Sequence, residues 1–230
     1  MEVQHCKGME LEEKKNTVVV GEAGTGKTEF SIAAALWLRE HGEEEITVFD
    51  MDQTKPLYRL RDISRSLENK GIQVIHGTGF MDSPLVPEGV EGALKDEKRR
   101  VIMDVGGGKA GALCLGQYRE ALKEETQIFY LINPYRSFSS TWRYIARSME
   151  EILSQIGRDQ IRIVCNPYCG GDGDEETFWE GVARTEKLLE TAGRKIDAVM
   201  LPEKLWDKLA SHWNRAISIR PSMPQVLDLG

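Results

Sequence analysis

Short apolar runs alternate with longer amphipathic ones along the whole 230-residue chain. The runs Thr17–Gly21, Ile46–Asp50, Ile72–His76, Val101–Val105, Ile128–Asn133, Ile161–Asn166 and Ala198–Leu201 are apolar and rich in β-branched residues. That is the pattern of strands buried on both faces of a parallel sheet. Between them, Lys27–His41, Leu57–Leu67, Ala110–Glu124, Ser140–Ile156, Glu175–Ala192 and Glu203–Trp213 carry apolar residues at helical spacing. The alternation predicts an α/β fold, a three-layer, doubly wound and mostly parallel sheet of about seven strands with right-handed crossovers. A single domain over 1–230 is expected, with 1–15 as a lead-in and 214–230 as a tail. Within that tail, Ser218 to Gly230, with Pro221 and Pro224, predicts an irregular strap.

One junction interrupts the plain α/β grammar with chemistry. Between the first strand and the first helix lies Gly21-Glu22-Ala23-Gly24-Thr25-Gly26-Lys27-Thr28, a complete G-x-x-x-x-G-K-[ST] phosphate-binding loop. Strand, glycine loop and helix N-terminus together aim backbone N–H groups and the positive end of a helix dipole at one anion. Lys27 can reach the β- and γ-phosphates, and Thr28 can place its hydroxyl on Mg²⁺.

Ligands in such sheets bind at the carboxyl ends of the strands, so those ends carry the next candidates. Asp50 ends the second run and Asp52 follows it, and the pair can hold metal-bound water or orient an attacking one; the bland alternative is a polar turn before a helix starting at Pro56. Asp104 lies near the end of the fourth run and can hold Mg²⁺ through a water, while Gly107 three residues further on, completing an Asp-x-x-Gly pattern, can offer its N–H to a γ-phosphate. Asn166 ends the sixth run and can bond a purine edge or simply turn the chain before Pro167. Pro202 ends the seventh, where its backbone can flank a base. Gly77 to Arg100 is long, rich in glycine and proline, and closes on the charged run Lys95–Arg100; it reads either as a moving functional loop or as a surface excursion.

Composition narrows the classes. The chain is 40% hydrophobic and 29% charged, with a net charge of -7 and a pI of about 5.3. This balance disfavours a non-specific nucleic-acid binder, which needs a basic face. No apolar run approaches a membrane span, and Met1–Lys15 lacks the apolar core of a signal peptide, so a cytoplasmic location is expected. Cys6, Cys114, Cys165 and Cys169 match no standard metal or cluster spacing. Whether Cys114, Cys165 or Cys169 binds a metal is left open. Gly171–Thr177 lacks the order of a calcium loop, and Asp174 reads instead as a helix cap.

On the loop at Gly21–Thr28, Asp50–Asp52, Asp104–Gly107, Asn166 and Pro202, the chain resembles the MinD/ParA/nitrogenase-iron-protein group of P-loop NTPases, which includes CobQ- and dethiobiotin-synthetase-type enzymes. The resemblance spans roughly Thr17 to Trp213. It implies Mg²⁺ and ATP as ligands, Asp52 as the residue that orients the hydrolytic water, and Asn166 as the reader of adenine. Guanine recognition usually takes Asn/Thr-Lys-x-Asp after a late strand; Thr54-Lys55-Pro56-Leu57 lacks the aspartate and lies elsewhere, which favours ATP over GTP. Two positions depart from the family pattern. Glu22 stands where many relatives carry a lysine that crosses a dimer, and Glu29 stands where a second hydroxyl residue often follows. Glu29 can still bind an α-phosphate through its backbone N–H.

The expected function is a slow ATPase that switches between ATP and ADP to engage an unidentified protein partner or a weak homodimer. The alternatives are a synthetase that activates a small carboxylate, with Arg59 and Arg61 near the γ-phosphate, and a non-catalytic nucleotide-binding regulator. Because Glu22 is acidic, neutralising charge must come from elsewhere, with Arg136, Arg143 and the Lys95–Arg100 run as the sources considered. Nucleic acid is not expected as a partner. No basic amphipathic C-terminal helix is seen, so membrane binding is not expected either.

Overall fold

The computed structural model describes residues 4–52, 63–77, 87–122, 125–157, 160–170 and 174–219. Nine strands form one sheet: β1 (Cys6–Lys7), β2 (Asn16–Gly21), β3 (Ile46–Asp50), β4 (Ile72–His76), β5 (Arg100–Asp104), β6 (Thr126–Ile132), β7 (Arg162–Cys165), β8 (Ala198–Pro202) and β9 (Ala216–Ile219). Their order is β1-β9-β8-β7-β6-β2-β5-β3-β4, and every pairing is parallel except β1 with β9. The helices are α1 (Lys27–Glu40), α2 (Ser64–Glu68), α3 (Val90–Lys95), α4 (Gly108–Ala112), α5 (Trp142–Ile156), α6 (Glu175–Glu190) and α7 (Trp206–Leu209).

The three layers follow from period-two alternation within each strand. Val19, Val48, Ile102, Phe129 and Leu131 point to the face covered by Phe30, Ala34 and Leu38 of α1. Their neighbours Val18, Val20, Phe49, Met103, Ile128 and Tyr130 point the other way, against Leu94 of α3 and Ile145, Met149 and Ile152 of α5. A third cluster joins β7, β8 and β9 to Phe178 and Val182 of α6 and Leu209 of α7. Both faces of the central strands are therefore apolar, which is why those runs are continuous and not alternating in sequence.

All seven expected strands are present. Two more extend one edge. β9 takes Ala216–Ile219, so the first residues of the expected irregular strap are strand; the remainder, 220–230, lies outside the described residues. β1 is two residues long and owes its pairing to β9: Ser218 N–H donates to His5 O at 2.8 Å, and Gln4 Nε2 donates to Ser218 O at 2.6 Å. So short a strand carries no periodicity of its own to be seen in the sequence.

Two helices differ from expectation, and a third is described only in part. In place of one helix from Ala110, the chain forms α4 and then a 3-10 turn over Leu113–Tyr118, because Gly108, Gly111 and Gly116 weaken helix propagation; residues 123–124 lie outside the described residues. Glu203–Trp213 breaks into short α and 3-10 pieces around α7. Of the expected Leu57–Leu67 helix, α2 bears out the part from Ser64; residues 57–62, with Arg59 and Arg61, and Pro56 before them lie outside the described residues. Within Gly77–Arg100, α3 is an ordered helix, and residues 78–86 lie outside the described residues.

The Phe30 and Phe129 rings, both fully buried, meet with centroids 4.8 Å apart where α1 lies on β6. Phe129→Ala is expected to lower the unfolding free energy by about 3–5 kcal/mol. Denaturant titration checks this; a loss below about 1 kcal/mol would mean that the pair does not fasten α1 to the sheet.

Candidate functional site

The phosphate loop joins the end of β2 to the start of α1. Gly26, the cap of α1, has φ +92°, and a Cβ there would sit 2.2 Å from Asn166 Nδ2, so glycine is required on both counts. The first N–H groups of α1 have no partner within the helix and face the space that the loop encloses. Lys27 is buried, and its Nζ donates to Glu22 O at 2.8 Å. Thr25 Oγ1 donates to the same carbonyl at 2.9 Å. The lysine is thus held inside the loop by a backbone oxygen that a phosphate can replace as acceptor.

The acids come together at the strand ends. Thr28 Oγ1 donates to Asp104 Oδ2 at 2.7 Å, a buried bond linking the start of α1 to the end of β5. Asp50 is the direct cross-strand partner of Asp104, and both are buried. Strand β3 stops at Asp50, so alternation does not carry on to Asp52. Instead Asp52 N–H donates to Asp50 Oδ1 at 3.1 Å, a turn that brings the Asp52 carboxylate beside Gly106, where an added Cβ would lie 3.2 Å from its Oδ1. Gly107 abuts the loop itself: a Cβ on it would be 2.9 Å from Ala23 N. A hydroxyl and carboxylates are the hard oxygen donors that Mg²⁺ prefers. Among the described residues no three His, Cys, Asp or Glu side chains form a closed metal cage. The donor set therefore fits a metal shared with water and phosphate, with Thr28 and Asp104 as the nearest protein groups.

Glu22 is turned inward. Its Oε1 accepts a short hydrogen bond from Ser148 Oγ on α5, and Ser148 Oγ accepts from Tyr130 Oη at 3.1 Å. Burial pushes the Tyr130 phenol up to about 12, against the opposing effect of its bond to Ser148, so Tyr130 stays a neutral donor. The same carboxylate covers Gly108, where a Cβ would be 3.0 Å from Oε2. No motif marks this three-residue chain. Its one sequence signal is a serine on the stripe Ile145, Ser148, Met149, Ile152, which is otherwise apolar. Glu29 lines a cavity of about 260 Å³ between α1 and α2, with Leu36 and Leu67.

The three sources considered for a further cation separate cleanly. Arg136 Nε donates to Gly24 O at 3.2 Å, on the loop. Arg143 is exposed on the first turn of α5, and no bond from it to the loop is found among the described residues. The Lys95–Arg100 run is at the wrong end of the sheet. Arg100 opens β5 opposite Ile46 and pairs with Glu43 at 2.6 Å, and Lys95 pairs with Glu91 at 2.6 Å. A five-residue strand, about 3.3 Å per residue, separates Arg100 from Asp104 and the phosphate loop.

Asn166 and Pro202 end adjacent strands, β7 and β8. Asn166 Nδ2 donates to Thr25 O at 2.9 Å, bracing the loop from below. Its Oδ1 is buried without a hydrogen-bond partner among the described residues. Met200 of β8 also reaches Gly26, its Cε 3.3 Å from where a Cβ would stand. Away from the site, Asp174 caps α6 by accepting from Thr177 N at 2.8 Å, as expected. Burial raises the Cys165 thiol to about 12 and the Cys114 thiol to about 11, and these sulfurs bond Thr185 Oγ1 and Gly111 O.

No protein-family model and no curated protein matches the chain. Solved structures do resemble it. FtsY, a cell division protein of Thermotoga maritima, aligns over 83% of this chain and 62% of its own, at 17% identity and a TM-score of 0.52. The signal recognition particle 54 kDa protein of Aeropyrum pernix, in complex with GDP, aligns over 81% of this chain and 41% of its own, at 14% identity and a TM-score of 0.50. The fold is that of a P-loop NTPase. The chain spans less than two thirds of either protein. Among the described residues no helix is long and apolar enough to cross a membrane.

Ser148→Ala removes the link between the Glu22 carboxylate and the Tyr130 hydroxyl. A stability loss of about 1–3 kcal/mol is expected in denaturant titration, as for any buried polar group left short of a partner. An unchanged midpoint would show that the loop is not tied to α5 in solution.

Proposed function

We propose that this chain is a Mg²⁺-dependent nucleoside-triphosphate switch with slow intrinsic hydrolysis, acting on a protein partner. The observation that carries this reading is the Thr28–Asp104 hydrogen bond. It unites the phosphate loop with the acid at the end of β5, two features far apart in sequence and independent as motifs. Thr28 and Asp104 would hold Mg²⁺, which offsets the phosphate charge. Lys27 leaves the Glu22 carbonyl for the β- and γ-phosphates. Asp52, set beside Gly106 by its turn, orients the attacking water, and Gly107 reports on the γ-phosphate to α4 and the 3-10 turn behind it.

The subtype and the base belong to the same proposal. We read the chain as MinD/ParA-like from Asp50–Asp52, Asp104–Gly107 and Asn166, and ATP as its nucleotide. The unpartnered Asn166 Oδ1 supports adenine, because an acceptor suits an exocyclic amine. If Asn166 opened a guanine-reading Asn-Lys-x-Asp pattern, the aspartate would fall at position 169, which is Cys169. The GDP bound to the similarly folded signal recognition particle protein makes GTP the competing outcome.

Lys27→Ala is expected to weaken MgATP binding by about tenfold to a hundredfold, the worth of one charge-assisted hydrogen bond. Calorimetry on the folded variant checks this, and full affinity would remove the site assignment. Competition between ATP and GTP decides the base, and stronger GTP binding would overturn adenine.

Asp52→Asn keeps the side-chain size and removes its charge. It is expected to spare nucleotide binding and slow turnover by about a hundredfold or more, the usual worth of a positioned base. Because Glu22 is bonded to Ser148 within its own chain, ATP alone is expected to dimerise this variant weakly. Light scattering with and without MgATP tests that, and a tight ATP-dependent dimer would contradict it.

A further inference from the structure

Beyond the loop and its acids, the geometry points to Arg136 as a cation supplied by the chain itself to the β–γ phosphate region. This inference rests on the nucleotide-switch reading above. It begins from a charge imbalance. The loop and the strand ends beside it carry four carboxylates, Glu22, Asp50, Asp52 and Asp104, and the loop itself carries one buried lysine, Lys27. A nucleoside triphosphate adds several more negative charges, and a metal with one lysine leaves the site short of positive charge where it develops during transfer.

Arg136 is placed to meet that need. Its stem crosses the middle of the loop at Gly24: a Cβ on that glycine, at φ +72°, would sit 3.1 Å from Arg136 Nε and 3.5 Å from its Cδ. Nε is used by Gly24 O, and neither Nη has an acceptor among the described residues. Guanidinium geometry keeps those remaining donors in a rigid fork suited to two phosphate oxygens. Gly24 is exposed, so the fork stands at the rim and not beneath the loop.

The turn that presents Arg136 is braced from several sides. Tyr135 N–H donates to Asn133 Oδ1 at 3.0 Å, Arg136 N–H to Asn133 O at 3.1 Å, and Asn133 Nδ2 to Tyr168 O at 2.9 Å. Tyr135 Oη donates to Thr177 O, and Arg184 lies over the Tyr135 ring at 5.3 Å. A cation on so fixed a turn loses little entropy when a phosphate arrives. Lys109 on α4 and Arg143 on α5 are exposed near the same end of the sheet, but among the described residues neither bonds to the loop, which makes them the proper controls.

A water oxygen forms a bond to the γ-phosphorus as the bond to the β–γ bridging oxygen breaks. The electron pair stays on the β-phosphate, one water proton passes to Asp52 and on to solvent, and inorganic phosphate leaves. Arg136 donates to the bridging and γ-oxygens, whose charge grows along this path.

The test compares wild type, Arg136→Ala, Arg136→Lys, Lys109→Ala and Arg143→Ala. It measures turnover of MgATP and MgGTP, affinity for the triphosphate, and affinity of the Mg-diphosphate complex for fluoroaluminate, which imitates the transferring group without needing turnover. Arg136→Ala is expected to lower kcat and fluoroaluminate affinity by about a hundredfold while changing triphosphate affinity by less than about threefold. Arg136→Lys should recover only part, added guanidinium ion should partly restore Arg136→Ala, and the two controls should behave as wild type. If kcat and triphosphate affinity fall by the same factor, Arg136 merely clamps the loop and the inference fails. It fails equally if a control variant shows the loss, or if wild type traps no fluoroaluminate. Loss of the nucleotide-switch reading looks different: Lys27→Ala would then bind triphosphate as well as wild type does.

Discussion

The hydrogen bond from Thr28 to Asp104 is the constraint on which the rest of the site depends. Thr28 begins α1, and Asp104 ends β5, the strand beside β2 in the sheet. A buried carboxylate is costly without a partner. The hydroxyl offsets that cost only if α1 starts at this height above the strand ends. That start in turn requires the chain to leave β2 through a tight loop, with Gly26 in a left-handed conformation and Asn166 bracing Thr25 from below. The same placement sets Asp50 opposite Asp104 and brings Gly107 against Ala23.

Around that bond the protein divides its polar groups by end of the sheet. At the carboxyl ends lie the loop, the three aspartates, Asn166 and Arg136. At the opposite end, Arg100 and Arg99 are neutralised locally by Glu43 and Asp96. Arg162 and Arg215 converge on Glu10 in the same local way, tying the residues before β2 to β7 and β9. These part-exposed pairs order the surface, and their energetic worth is small. The buried groups at the loop matter more, because low local polarity strengthens each bond and penalises each missing one.

Glu22 gives this loop its particular character. A lysine at that position would extend outward as a cation. The glutamate folds onto α5 through Ser148 and Tyr130 and covers Gly108, coupling the loop to the helix and to the turn after β5. The loop, α5 and the turn after β5 are thereby joined through one carboxylate.

Much of this was legible in the chain alone. Apolar β-branched runs located seven strands, because strands buried on both faces need no alternation. The glycine–lysine–threonine spacing located the loop, because only that spacing wraps backbone N–H groups around a phosphate and sets a lysine and a hydroxyl on it. Asp104 was marked by its place at a strand end, and Asp174 by its place before a helix. The edge strand β1 was not legible, since two-residue pairing across more than two hundred positions leaves no local period, and β9, four residues long beside it, falls within the expected tail. Nor was the direction of Glu22, whose partner Ser148 lies 126 residues away, or the choice of Arg136 over the Lys95–Arg100 run. Sequence determines what each segment can form and which chemical groups it carries. Which end of the sheet a charge occupies, and which group it meets there, is decided only when parallel strands and their crossovers fix the height of every residue in one body.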